Sequence, residues 1–216
     1  MRKIFALAIA LIATTCFAQT SKPGTFSITP RGGVDMSTFH QTIAYTSMIK
    51  IESRNLLGVT GGIDFGYQLS KHLGVTVGAA YGNMGSRFYL KGWGNGFDGK
   101  LCQLSNDYLQ IPLVANFYVA DGLALKAGIQ PAFLLGAKEA EEKVEMKDLL
   151  NHFDMQIPIG ISYEYGNLIL DVRYIFGLAN VMKEKYTFVV DETPIEANNK
   201  FHNRTLSVTI GYKIKL

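Results

Sequence analysis

The chain has little of what would mark it as a disulfide scaffold, a disordered segment or a nucleic-acid binder. Two cysteines in 216 residues cannot build a disulfide framework, and a 48% hydrophobic composition excludes a disordered chain. Charged residues make up only 18%, against roughly 25% in soluble domains, so part of the surface is expected to face something other than bulk water. The formal net charge of +3 comes without a basic run or an aromatic-interleaved Lys/Arg stripe, which argues against nucleic acid as a partner. Neither Gly-x-Ser-x-Gly nor His-Glu-x-x-His occurs, so no catalytic motif is expected. No Cys/His set has metal-ligand spacing, and no metal and no cofactor are expected.

Residues 1–18 read as a secretory signal peptide. Arg2 and Lys3 form a basic start, Ile4 to Ala13 an apolar stretch, and Cys16-Phe17-Ala18 a small-x-small cleavage site. A membrane anchor is the alternative, but that stretch is too short to cross about 30 Å of hydrocarbon. Lipidation of Cys16 is disfavoured by Thr15 and Ala13 at the positions that would have to be small and leucine. Cleavage leaves residues 19–216 as the mature domain, with 19 basic against 18 acidic residues and Cys102 as its one cysteine.

Past the signal, no eighteen-residue apolar run exists to form a transmembrane helix. Period two recurs instead. Val59, Gly61, Ile63, Phe65 and Tyr67 alternate with Gly58, Thr60, Gly62, Asp64, Gly66 and Gln68, giving one apolar face and one small or polar face. Seven more segments alternate likewise: Phe26–Met36, Leu73–Tyr81, Leu109–Phe117, Leu123–Leu135, Phe153–Tyr163, Leu168–Phe176 and Leu206–Leu216. Strands of about ten to fourteen residues match a tilted membrane crossing. Their connections alternate in length. Phe39 to Asn55, Ser86 to Asn106, Ala137 to Asn151 and Asn180 to Asn203 are long, while Ser70 to His72, Ala120 to Gly122 and Gly166 to Asn167 are short. This predicts an all-β fold, an eight-stranded antiparallel up-and-down transmembrane β-barrel with both termini at the short-turn end.

Alternation alone leaves open a soluble, lipocalin-like periplasmic barrel with its apolar face inward around a ligand. The opposite face decides for the membrane. It carries Gly58, Gly62, Gly66, Gly74, Gly78, Gly82, Gly128, Gly160 and Gly211, interspersed with Asp64, Lys126, Gln130, Asp154, Gln156, Glu164, Asp171, Arg173 and Lys213. Small residues with paired charges suit a narrow lumen. Tyr67, Tyr81, Tyr108, Tyr118, Tyr163, Tyr165, Tyr174 and Tyr212 are expected in interfacial girdles. Pro112, Pro131 and Pro158 fall inside strands and mark bulges or bends.

Tyr108-Leu109-Gln110-Ile111-Pro112-Leu113 is similar to the Tyr-Leu-x-Ile-Pro-Leu signature of the PorT-like outer-membrane β-barrel proteins. Arg173-Tyr174 and Phe176-Gly177-Leu178 resemble that family's Arg-Tyr-x-x-Gly-Leu strand end. The resemblance covers essentially the whole mature chain and implies an eight-stranded barrel in the outer membrane, with no established activity. The chain departs from many outer-membrane barrels in ending on Leu216 rather than an aromatic.

A lumen ion-pair network of Asp64, Lys126, Asp154, Glu164, Asp171 and Arg173 is expected to fill the barrel, with a narrow conduit as the alternative. Trp93 and Phe97, in Gly92-Trp93-Gly94-Asn95-Gly96-Phe97-Asp98-Gly99, are candidate loop contacts for an extracellular ligand or protein; rim or headgroup anchoring of Trp93 competes with this. A short amphipathic helix is the sharper reading of Ala137 to Leu150 and a charged loop the plainer one. His152 and Asp154 share a strand face by spacing, and with His202 they define the competing reading, a barrel hydrolase with a rim His/Asp pair. The partners expected are outer-membrane lipid and the barrel-assembly machinery, with the protein a monomer. The role expected is non-enzymatic, structural or adhesive.

Overall fold

The computed structural model describes residues 22–42, 50–91, 98–139, 147, 150–182, 186–190, 193–197 and 200–216. Eight staves close into a ring. They are β1 (Phe26–Thr42), β2 (Lys50–Gln68), β3 (Leu73–Lys91), β4 (Asp98–Gln110) continued by β5 (Leu113–Ala120), β6 (Leu123–Glu139), β7 (Phe153–Tyr165), β8 (Leu168–Gly177), and β11 (Lys200–Tyr212) continued by β12 (Ile214–Lys215). A separate hairpin, β9 (Tyr186–Val190) with β10 (Thr193–Ala197), lies between β8 and β11 in the chain. Each stave pairs antiparallel with its neighbour, and Val34 opposite Val208 closes β1 onto β11.

The turns at one end follow from their residues. Ala120 pairs with Leu123 around Asp121-Gly122, and Tyr165 pairs with Leu168 around Gly166-Asn167. Gly122 and Gly166 adopt φ of 75° and 60°, the left-handed geometry that two-residue hairpins require. The start of β1 and the last residue meet here, where the Leu216 N–H donates to the Phe26 carbonyl at 2.9 Å.

Pro112 breaks one stave into β4 and β5, yet the register on β3 runs through the break: Ala80 stands opposite Gln110 and Val77 opposite Leu113. The Pro112 carbonyl accepts the Gly78 N–H at 2.9 Å. Pro158 faces Gly128, where the β6–β7 ladder skips two positions between Ala127–Ile159 and Gln130–Gln156. A proline lacks the donor that a rung there needs.

The apolar face is outside. Leu57, Val59, Ile63, Phe65, Leu113, Phe117, Leu125, Ile129, Ile159, Ile161, Leu170 and Ile210 are exposed, while Asp64, Gln68, Asn116, Gln130, Gln156, Ser162, Glu164, Asp171, Arg173 and Lys213 are buried. On β1 the outward apolar series runs from Phe26 to Met36. Its ten intervals cover about 33 Å of strand, or roughly 24 Å at a 45° tilt, the height of an outer-membrane apolar band.

Several strands run well past that band. β2 and β3 each have 19 residues, so Phe39, Ser86 and Asn106, expected to open or close loops, lie within strands. Beyond the band the two faces exchange character. Met36 is outward, whereas Phe39 is buried; outward Leu206 gives way to Arg204, and inward Asn203 to Phe201. Tyr108 and Tyr118, expected in the girdle, are 1% and 5% exposed. Alternation puts Leu109 and Phe117 outside, so the adjacent tyrosines must point in.

Candidate functional site

The lumen has two chambers. In the half nearer the short turns, Asp64 on β2 accepts from Arg31 Nε on β1 at 2.9 Å and lies 3.6 Å from Arg173 on β8. Arg173 holds Asp171 through Nε at 2.7 Å and Nη2 at 2.9 Å. Lys126 on β6, one stave removed from β8 across β7, pairs with Asp171. Arg31, Lys126 and Arg173 thus share Asp64 and Asp171, all with side chains no more than 10% exposed. Charges removed from water to this degree persist because each has a charged, hydrogen-bonded partner. Gly78 makes the room, since a Cβ built there would sit 2.1 Å from Asp64 Oδ1.

A second set lies against the turns. Glu164 accepts from Lys213 at 2.9 and 3.0 Å and from the Tyr118 hydroxyl at 2.7 Å. Both sets border a cavity of about 50 Å³ lined also by Ser27, Thr29, Gln68, Asn116 and Thr209. At roughly 10–15 Å³ per water this holds about three to five molecules. The side chains therefore fill this half.

The other half is apolar. Phe39, Phe88 and Phe201 pack with ring centroids 5.9 to 6.5 Å apart. Met84, Leu104, Tyr108, Leu134, Leu150 and Val181 complete the cluster. The last two come from the connections. The Val181 N–H donates to the Phe201 carbonyl at 2.8 Å, and the Asn151 N–H to the Val181 carbonyl at 2.9 Å, so two loop segments are laced over the mouth. Asn180 reinforces this strap: its Oδ1 accepts the Phe201 N–H at 2.9 Å. Between the chambers, Gln130 donates to Gln156 at 2.7 Å.

The structure thus brings Asp64, Lys126, Asp171 and Arg173 into one network and puts Glu164 in another. Asp154 belongs to neither. Its oxygens take the Gln156 and Asn203 amides at 3.0 and 2.9 Å and the Ala179 N–H at 3.0 Å, which ties β7 to the strap. His152 does not share its face: it is exposed, with Nε2 3.3 Å from the Lys147 carbonyl. It precedes the first residue of β7, where strand alternation does not yet apply. His202 Nδ1 is engaged by the Ala179 carbonyl at 3.1 Å. Trp93 and Phe97 lie outside the described residues, as does most of the Ala137 to Leu150 segment. Arg31 and the Tyr118 link to Glu164 were missed, although alternation with Phe26, Ile28 and Phe117 was the signal for both. The apolar chamber was missed because its residues sit in stretches taken for loops.

An outward apolar band around a charge-filled, eight-stranded lumen defines a transmembrane β-barrel of the outer-membrane class. Residues 17–183 match the family model described as outer membrane protein beta-barrel domain, and the chain belongs to that family. The protein is an integral outer-membrane barrel. Among solved structures, OprG of Pseudomonas aeruginosa is similar at 16% identity and a TM-score of 0.50, over 92% of this chain and 99% of that one. Ail of Yersinia pestis aligns at 14% identity and 0.46, over 89% and 99%. Neisserial surface protein A aligns at 13% and 0.46, over 88% and 97%. At these identities the likeness concerns the fold. No match is found among curated proteins.

Proposed function

We propose that the protein is a non-enzymatic, non-conducting outer-membrane barrel, a PorT-like member by its Ile-Pro strand, that holds its long connections outside a Gram-negative cell for structural or adhesive contacts. The leader at residues 1–18 is removed on export, the barrel-assembly machinery inserts residues 19–216, and the barrel acts as a monomer. Trp93 and Phe97 are the loop aromatics through which an extracellular ligand or protein is met. The observation that carries this reading is the filled lumen. An ionic chamber joined to an apolar chamber that includes Leu150 and Val181 leaves, among the described residues, neither a wet path nor a reacting group there. The exposure of His152, against an Asp154 that is buried and held by amides and a backbone N–H, speaks against the rim hydrolase.

The test is conductance in planar bilayers of the refolded, heat-modifiable barrel. No discrete conductance steps are expected. Steady unitary steps from the wild-type chain would sink the closed-lumen reading and restore the narrow conduit.

A further inference from the structure

On the outer wall of the β2–β3 hairpin, Arg54 stands directly opposite Arg87. Arg54 is exposed, and Arg87 is half-buried between the buried Ser86 and Phe88, so both occupy the outward face. Four residues along the same ladder Lys50 stands opposite Lys91, with Glu52 opposite Tyr89 between them. Arg54 and Arg87 make this part of the ladder cationic. Like charges directly opposite each other in an antiparallel pair are destabilising by themselves. An anion seated between them reverses the sign.

Three features say which anion. Arg54 precedes Leu57, the outward apolar residue of β2 farthest from the short turns, by three residues. That is about 10 Å of strand and about 7 Å of height at 45°, which is headgroup depth. The Arg54 guanidinium lies 4.1 Å from the Tyr89 ring centroid, which holds it flat with its N–H edges available. Below the pair, Asp107 is already occupied, accepting from the Tyr81 hydroxyl at 2.5 Å and from Asn83 at 2.6 Å. We infer that Arg54 and Arg87 form a clamp for the phosphate of a lipid headgroup, on the barrel's outer wall just above the apolar band. Two guanidinium forks can each meet the oxygens of one phosphate with paired, charge-assisted hydrogen bonds, which a single lysine does not reproduce. The inference rests on the outer-membrane barrel and is independent of the role proposed for its loops.

The test is native mass spectrometry of the full chain released from phosphatidylcholine nanodiscs doped with phosphatidic acid. Wild-type protein is expected to retain phosphatidic acid about tenfold more than Arg54→Gln/Arg87→Gln, the equivalent of one such bidentate contact. Lys71→Gln, at the short-turn end, should retain it as wild type does. Inorganic phosphate at millimolar concentration should not displace it. Equal retention by the double variant overturns the clamp, and displacement by inorganic phosphate overturns the lipid as its occupant. Heat-modifiable mobility checks that the variants fold. If the double variant does not, Arg87→Lys keeps the charge without the fork and is expected to retain an intermediate amount; wild-type retention there overturns the clamp as well.

Discussion

Removing Asp171 should cost the barrel more than removing Arg173, although the two are direct partners. The ionic chamber holds three cations, Arg31, Lys126 and Arg173, against Asp64 and Asp171. In Arg173→Met each acid keeps a cation: Asp64 retains Arg31, and Asp171 retains Lys126. The loss of the bidentate contact is offset in part by no longer burying a guanidinium, leaving a cost of about 1 to 3 kcal/mol. In Asp171→Asn the three cations of this network keep Asp64 as their one ion-paired carboxylate. Lys126 then has no hydrogen-bonded carboxylate, and the penalty is that of a broken buried pair, about 3 to 5 kcal/mol. Adding Lys126→Met removes the stranded ammonium, so Asp171→Asn/Lys126→Met should be more stable than Asp171→Asn alone. The assay is urea unfolding of the barrel in detergent micelles, scored by the folded fraction on unboiled gels. An Arg173→Met loss equal to or larger than that of Asp171→Asn refutes the charge accounting, as does a double variant whose loss is the sum of the singles.

Three further substitutions test the faces of the wall, the two glycine variants by the same assay and the third in lipid vesicles. Gly78→Ala drives a methyl into Asp64 Oδ1 and should lower stability by about 2 kcal/mol or more through the overpacked ion pair, whereas Gly61→Ala, whose Cβ meets only the Arg31 carbonyl at 3.7 Å, should be near neutral; equal effects would place Gly78 wrongly. Ile161→Arg, on the outward face at 50% exposure, should cost about 2 to 4 kcal/mol in a bilayer, and a negligible change in vesicles would contradict its burial in lipid.

The fold was legible because the signal that encodes it is local. A period of two over ten residues fixes which side chains share a face, and glycine-rich polar columns opposite Val, Ile and Leu identify the narrow side as the interior. Register across the ring was not legible, since Asp171 and Lys126 are 45 positions apart and only pairing of β6, β7 and β8 brings them together. The site was legible as a set of lumen charges and not as a partition. Asp154 carries the same charge and faces inward like Asp171, yet it is satisfied by amides and a backbone N–H at the strap. Tyr108 and Tyr118 show that a composition-based assignment to a girdle yields to parity when the two disagree. Strand length was underestimated because period two fades where both faces become mixed, while backbone donors and acceptors beyond the membrane still need partners.

That fading has a physical cause that also locates the membrane surface. Along β3 the inward residues run Gly78, Ala80, Gly82, Met84, Ser86, Phe88 and the outward ones Val77, Ala79, Tyr81, Asn83, then Arg87 after the Gly85 position. While the outside is lipid, apolar side chains are best placed outward and the lumen takes polar ones; once the outside is water, the hydrophobic effect reverses the preference and the apolar set moves in. The same exchange occurs between Met36 and Thr38 on β1, Leu109 and Asp107 on β4, and Leu206 and Arg204 on β11. Met36 stands opposite both Leu57 and Leu206 in register, so the crossing points of three neighbouring staves fall at one height. One continuous wall is therefore an inverted protein inside the bilayer and an ordinary one above it. The Phe39, Phe88 and Phe201 cluster is the core of that upper part, buried for the same reason that any soluble barrel buries its aromatics.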